Sequence, residues 1–248
     1  ASDVYTVHVL SCLRLWGFKE NTSRLNVMPP GAKFIYSDTL GVIRMATGEK
    51  SCTQYPAFTQ LLTRWLKEQL PADLQREFPF SSITLNKNYA GRRHRDSNNT
   101  GPSLIRALGN FTGGQLNYWP WDRLNTAPEK LPSEESVLID LQDNLMLFDG
   151  NKAHSGDSFE GERFSVVFFS APSWPKFTSS DLETATASGF NVPTWSSMAS
   201  ARTLLDSEGS RGFRLFNSRA SRVAVASAVD PCQQCGTFCG SSCGPHPL

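Results

Sequence analysis

Three side chains in this chain, His94, Asp96 and His154, are of the types that hold a transition metal, and two of them are spaced to do it together. One residue intervenes in His94-Arg95-Asp96. Side chains of an extended chain alternate between its two sides, so His94 and Asp96 point one way and Arg95 the other. His154 lies sixty positions after His94, behind the apolar run 145–148 and the turn-forming Asp149-Gly150-Asn151. Two imidazoles and one carboxylate make a facial set with open coordination positions, the arrangement used by non-haem Fe(II) oxygenases. A His-x-Asp triplet by itself is commonly a surface turn, and the residues beyond His154 give it weight.

Nine positions after His154 comes Arg163, then Ser165, within Glu162-Arg163-Phe164-Ser165-Val166-Val167-Phe168-Phe169. On a strand Arg163 and Ser165 share a face. A guanidinium inside a β structure is costly without an anion to pair with. A dicarboxylate such as 2-oxoglutarate supplies one, with its keto acid end free to chelate the metal. The plain alternative for Arg163 is an ordinary edge-strand arginine.

With these residues in place, the stretch from about residue 80 to 170 resembles the 2-oxoglutarate/Fe(II) dioxygenase superfamily. The resemblance rests on His94-x-Asp96, the distal His154, Arg163-x-Ser165 and the strand start Gly113-Gly114-Gln115-Leu116. It implies a double-stranded β-helix, or jelly roll. It also implies Fe(II) at His94, Asp96 and His154, 2-oxoglutarate at Arg163 and Ser165, and O₂ as oxidant, with ascorbate as a possible reductant. The implied reaction hydroxylates a C–H bond and releases succinate and CO₂. Thr84-Leu85-Asn86-Lys87-Asn88-Tyr89, followed by Asp96-Ser97-Asn98-Asn99, is similar to the TET/JBP branch, which hydroxylates the methyl group of thymine or 5-methylcytosine in nucleic acids. The branch's cysteine-rich insert is not found upstream. Prolyl-hydroxylase-like and small-molecule hydroxylases remain open, as does an inactive jelly-roll binding module. A cupin-like metal protein would not need Arg163 and Ser165.

Around this set stand further candidates. Asn86 and Asn88 either hydrogen-bond the co-substrate or hold a turn. Arg92, Arg93 and Arg95 crowd the metal motif, as a rim for an anionic substrate or as solvated loop charge. Arg93, Asn98, Tyr118 and Trp119 are substrate candidates, and the aromatic pair, with Trp121, could stack a base taken out of a duplex. The alternative for the aromatics is core packing. Arg211, Arg214, Arg219 and Arg222 lie in an acid-free stretch that either touches an anionic surface or forms a solvated face. Cys232, Cys235, Cys239 and Cys243, with His246, invite a zinc reading or one of loose thiols. Structural zinc ordinarily joins two separated ligand pairs.

The elements that must position these residues are partly legible. Phe58, Leu61, Leu62, Trp65, Leu66 and Leu70 recur at three- and four-residue steps, which predicts a helix over 55–70 that Pro71 stops. Residues 4–10 and 33–36 are expected as strands. Short apolar runs with Gly, Asn and Pro between them, at 83–85, 104–108, 115–119, 137–141, 145–148 and 164–170, predict an antiparallel β domain. Residues 121–135 form an excursion between two strands. A short helix is expected at 181–188, ended by Gly189, and a partly helical, loosely attached stretch over 194–230. The resulting organisation is α+β: a flank at 1–79, a jelly-roll core at 80–172, a C-terminal helical extension at 173–229 and a Cys-rich tail at 230–248.

Composition bounds the rest. The 248 residues, 39% hydrophobic, suit one large domain with an appendage, and no apolar run is long enough to cross a membrane. A formal net charge of +1 is too balanced to announce a nucleic-acid binder by global charge, so a nucleic-acid partner would have to be held by a local patch. No signal peptide is expected from the first twenty residues, which favours an intracellular protein, nuclear if the substrate is DNA.

Overall fold

A computed structural model describes residues 5–44, 50–51, 55–97, 99–205 and 212–217. The first helix, α1 (Thr6–Leu15), is followed by β1 (Glu20–Asn21), β2 (Ile35–Gly41), and a ribbon of β3 (Ile43–Arg44) and β4 (Lys50–Ser51). Then come α2 (Pro56–Gln69), α3 (Ala72–Glu77), β5 (Ser82–Lys87), β6 (Thr100–Gly113) and β7 (Leu116–Tyr118). Two 3₁₀ turns lead to β8 (Val137–Ile139), β9 (Asn144–Phe148), β10 (His154–Gly156) and β11 (Phe159–Ser170). A further 3₁₀ turn, α4 (Ser179–Ala187), α5 (Trp195–Thr203) and β12 (Phe213–Asn217) complete the described chain.

Seven strands form one antiparallel sheet in the order β1-β2-β5-β11-β6-β9-β12, and β10-β7-β8 form a smaller antiparallel sheet. The alternation of side chains explains how they pack. Leu104 and Leu108 of β6, Phe164, Val166 and Phe168 of β11, and Ile83 and Leu85 of β5 face the helices, where they meet Leu62, Trp65 and Leu66 of α2. The opposite face of β6, with Ile105, Ala107 and Phe111, packs on Leu116 and Tyr118 of β7 and Ile139 of β8. The molecule is therefore mixed α+β: helices on one face of a large sheet, a small sheet on the other.

Several expectations need correction. Of the strand expected at 4–10, residues 6–10 are instead the first turns of α1. Val7 and Val9 would share one face of a strand, yet Val7 is 45% exposed while Val9 is fully buried with Leu13 four residues on, the helical spacing. The strand expected at 33–36 starts at Ile35 and runs to Gly41, so the N-terminal flank supplies a strand of the large sheet. The described parts of the stretch expected to be loosely attached, residues 194–205 and 212–217, are packed on the core: α5 buries Met198 and Ala201, and β12 pairs residue for residue with β9. Its signal is weak because only Phe213 and Phe216 tie β12 to the two cores. The Cys-rich tail, Asn98, Arg211, Arg219 and Arg222 lie outside the described residues.

Candidate functional site

The site forms between the two sheets. His94 lies just before β6 on a short extended segment, and β10 begins at His154. The two are joined by reciprocal backbone bonds, each N–H donating to the other's carbonyl at 3.0 Å. Pairing directly opposite on antiparallel backbone brings the two rings to 4.2 Å between centroids. Asp96 follows, its own N–H donating to the Gly150 carbonyl at 2.8 Å, so the turn ahead of β10 fixes the carboxylate as well. A Cβ at residue 150 would come within 2.8 Å of Asn99 Nδ2 and 3.2 Å of Asp96 Oδ2, so a side chain there would push on the two groups beside the carboxylate.

Imidazole Nε2 of His94 lies 3.4 Å from Asp96 Oδ1, and that of His154 lies 3.8 Å from Asp96 Oδ2. The ligand-type atoms of all three residues fall within 4.8 Å of one another, a group that could hold a metal ion. The other ring nitrogens settle the tautomers. Nδ1 of His94 is 2.7 Å from the Arg92 carbonyl, and Nδ1 of His154 is 2.9 Å from the Lys152 carbonyl. A carbonyl only accepts, so each Nδ1 carries a proton, which leaves Nε2 as the nitrogen available to a metal. This outer-shell arrangement is the one that orients metal-ligating histidines. Burial, with the His94 ring adding to it, pushes His154 down to about 4, so it is neutral at pH 7. Burial opposes ionisation of Asp96, but in the acid range, where the rings take up a second proton, a hydrogen bond from His94 and the fields of His154, His94 and Arg24 prevail and bring the carboxyl down to about 2.

A cavity of about 810 Å³ opens beside these residues. One wall comes from the face of the large sheet turned away from the helices: Arg163, Ser165 and Val167 of β11, Thr84 and Asn86 of β5, and Ser37 and Thr39 of β2. Arg163 is 7% exposed, and its Nε has no hydrogen-bond partner among the described residues. Burial lowers it to about 10, against a smaller opposing effect of Tyr89. Its guanidinium lies 5.5 Å from the Phe111 ring and 5.6 Å from the Phe159 ring. Gly114, at φ +69°, lets it lie there, since a Cβ would stand 2.9 Å from Arg163 Nε. Ser165 Oγ accepts from Asn86 Nδ2 at 3.0 Å, and Asn86 Oδ1 accepts from Tyr89 at 2.7 Å and Ser37 at 2.9 Å.

The structure thus brings together His94, Asp96, His154, Arg163, Ser165 and Asn86. It does not bring in Asn88. That residue, at φ 52°, accepts the Arg163 backbone N–H on its side-chain oxygen at 2.8 Å and does not line the cavity, so it holds a turn. The substrate candidates Arg93, Tyr118 and Trp119 are corrected too. None lines the cavity. Arg93 donates to the Leu131 carbonyl at 2.6 Å and lies 4.1 Å over the Trp119 ring. Trp119 is buried and donates to the Pro132 carbonyl at 2.7 Å. Tyr118 is fully buried among the core residues between the sheets, which raises its phenol far above the usual range. Their apolar bulk is spent on packing, and no ring face is left for a base.

Four site residues are not among the candidates read from the sequence: Arg24 and Asp122 carry no motif, and Tyr89 and Asn99 fall within the stretches that carry the resemblance but have no role assigned there. Arg24 lines the cavity and donates to Ser37 at 3.0 Å. Asn99 donates to Asp96 Oδ2 at 3.0 Å. Asp122 has a signal of one kind: a half-buried Arg95 pointing away from the metal ligands demands an acid, and 121–135 is rich in acids. No family model and no curated protein matches this chain.

Proposed function

We propose that the protein is a 2-oxoglutarate-dependent Fe(II) oxygenase built on a double-stranded β-helix, with iron at His94, Asp96 and His154. The observation that carries the reading is a pair of complementary deficits in one cavity. On one side, two imidazole Nε2 atoms and a carboxylate converge on one point, which a metal cation satisfies. On the other, a buried guanidinium with an unpartnered Nε stands beside a serine hydroxyl, which an anion satisfies. A 2-oxo dicarboxylate meets both at once, one carboxylate at Arg163 and Ser165 and the keto acid end towards the metal.

When bound, Fe(II) supplies the activation of O₂ that couples decarboxylation of 2-oxoglutarate to hydroxylation of a C–H bond. The chain's own residues do the rest. His94 and His154 are held in the ligating tautomer by the Arg92 and Lys152 carbonyls. Asp96 is kept ionised. Asn86 fixes the Ser165 hydroxyl. Ile105, Leu116, Phe148 and Val167 give the cavity an apolar lining that limits water. The volume is towards the upper end of the roughly 300–1,000 Å³ typical of small-molecule sites. It accommodates the co-substrate with one further group, for which a methylated base or an amino-acid side chain would serve.

The test is anaerobic addition of Fe(II) and 2-oxoglutarate to purified protein, watching the visible charge-transfer band of the chelate. We expect a band that needs both additions and is lost in His94→Ala. A folded protein that gives no band would sink the oxygenase reading and leave a binding module of the same fold as the better account.

A further inference from the structure

The two halves of the metal group lie sixty residues apart in the chain, and a contact behind the site holds them in register. Its role rests on the metal reading above and goes beyond the ligands themselves. Arg95 separates His94 from Asp96 and takes part in the cavity lining, while its guanidinium turns away from the two ligand side chains. Behind the site it meets Asp122, at the start of the excursion after β7. The contact is bidentate: Arg95 Nε donates to Asp122 Oδ2 at 2.7 Å, and Nη2 donates to Oδ1 at 2.6 Å. Paired planar geometry of this kind fixes orientation as well as distance.

The same carboxylate reaches the other half. Oδ2 also accepts from the backbone N–H of Ala153 at 2.8 Å, the residue immediately before His154. Oδ1 accepts from Leu124 N–H at 2.9 Å, which closes the loop around the carboxylate. Leu124 is held at φ 62° there, a conformation a branched side chain rarely adopts. Arg95 gives a further bond to the Thr126 carbonyl at 2.7 Å, and Lys152 Nζ donates to the Pro120 carbonyl. The Asp122 side chain is fully buried, whereas that of Arg95 keeps 21% exposure. One buried carboxylate therefore touches the residue between the first two ligands and the residue next to the third.

We infer that Asp122 is a positioning residue for the metal, a brace that sets the separation of the His94–Asp96 segment from His154 by gripping Arg95 and the Ala153 N–H together. It touches neither metal nor substrate. Backbone bonds between His94 and His154 join the two segments on the cavity side; Asp122 joins them from behind, and the two attachments together fix the angle at which the rings converge. Outer-shell partners of this sort are worth about 10- to 100-fold in metal affinity.

The experiment is a Co(II) titration of wild type, Asp122→Asn and Arg95→Gln, followed by ligand-field absorption, with circular dichroism verifying the fold. Leu74→Ala serves as a control for general destabilisation, because Leu74 is fully buried in α3 and lines neither the cavity nor the loops at the site. We expect each clamp variant to weaken Co(II) binding about 10- to 100-fold and to alter the band pattern, while Leu74→Ala does neither. The double variant should be no weaker than the worse single, since both act through one contact. If Asp122→Asn does not fold, Arg95→Gln breaks the same brace from its more exposed end and decides the matter. Unchanged affinity and bands in folded clamp variants would overturn the brace and leave the metal reading standing. A wild type with no Co(II) bands would remove both.

Discussion

Replacing Arg163 by Met separates a ligand site from a structural arginine by sign. A structural arginine stabilises the fold, and its loss should lower the melting temperature. Arg163 is different, because burial lowers it from 12.5 to about 10. At 1.36 kcal/mol per pKa unit, that is roughly 3 kcal/mol of cost to the folded protein in keeping the group charged. The sign comes from proton linkage: the fold binds this proton less tightly than the unfolded chain does. The cost is therefore fully present at neutral pH and lifts only as pH rises through about 10. Contacts with the Phe111 and Phe159 rings return about half of it, at about 0.5–2 kcal/mol each. Met keeps the apolar stem and discards the charge, so the ligand-free protein should melt at the same temperature or a few degrees higher. The co-substrate should respond the opposite way. Removing one partner of a buried, hydrogen-bonded charge pair costs about 2–5 kcal/mol, which is roughly 30- to 5,000-fold in 2-oxoglutarate affinity. Differential scanning fluorimetry gives the first quantity. Titration of the anaerobic Fe(II) protein with 2-oxoglutarate gives the second, and Co(II) affinity should stay at the wild-type value. A marked loss of melting temperature with unchanged 2-oxoglutarate affinity would refute the reasoning.

Other parts of the site carry their own expected outcomes. Gly114→Ala puts a Cβ 2.9 Å from Arg163 Nε on backbone at φ +69°, so it should cost about 1–2 kcal/mol of stability and weaken 2-oxoglutarate about tenfold without touching metal affinity, by the same titrations. Because burial lowers His154 from 6.5 to about 4, the metal-free protein should lose up to roughly 3 kcal/mol as pH falls through that window, a slope that urea denaturation at several pH values should find flattened in His154→Gln. Chelation should lower the melting temperature of metal-loaded protein. At free metal near 100 times the dissociation constant, bound metal contributes about 2.7 kcal/mol, and His94→Ala should show no such difference.

How much of this was legible in the sequence depended on whether a residue's role is local. His94 and Asp96 are set by strand alternation over three residues, and Arg163 with Ser165 likewise, so spacing alone placed them on common faces. The α2 helix was legible because six apolar residues hold one stripe. Where a role is decided by a distant partner, the sequence offered no choice. Asn86 and Asn88 look equivalent in the chain, yet one bonds Ser165 and the other caps the Arg163 backbone, because the left-handed turn at Asn88 ends the alternation of β5. Tyr118 and Trp119 suggested stacking surfaces, but the small sheet turns both inward. The amide-bearing Asn99 and the brace at Asp122 depend on loops that meet only after the two sheets close.

The two deficits at the cavity also bear on the choice between an enzyme and an inert binding module of the same fold. A domain that had kept only its packing would have no reason to hold a guanidinium buried without an acid, two imidazoles and a carboxylate converging on one point, or a glycine at residue 114 that leaves room for the first. Each is unfavourable to the folded chain by itself, and apolar replacements of similar volume would relieve it. Their placement is what gives them meaning together. Arg163 and Ser165 lie on one wall and the His94, Asp96 and His154 group on another, around a cavity large enough for a ligand that bridges them. A monoanion would answer Arg163 and leave the metal's open positions unused. A metal alone would answer the two imidazoles and the carboxylate and leave Arg163 uncompensated. On the reading proposed above, a ligand with a carboxylate at one end and a chelating pair at the other would remove both penalties in one binding event, which is why 2-oxoglutarate is the species whose affinity the Arg163 and Gly114 variants should move most.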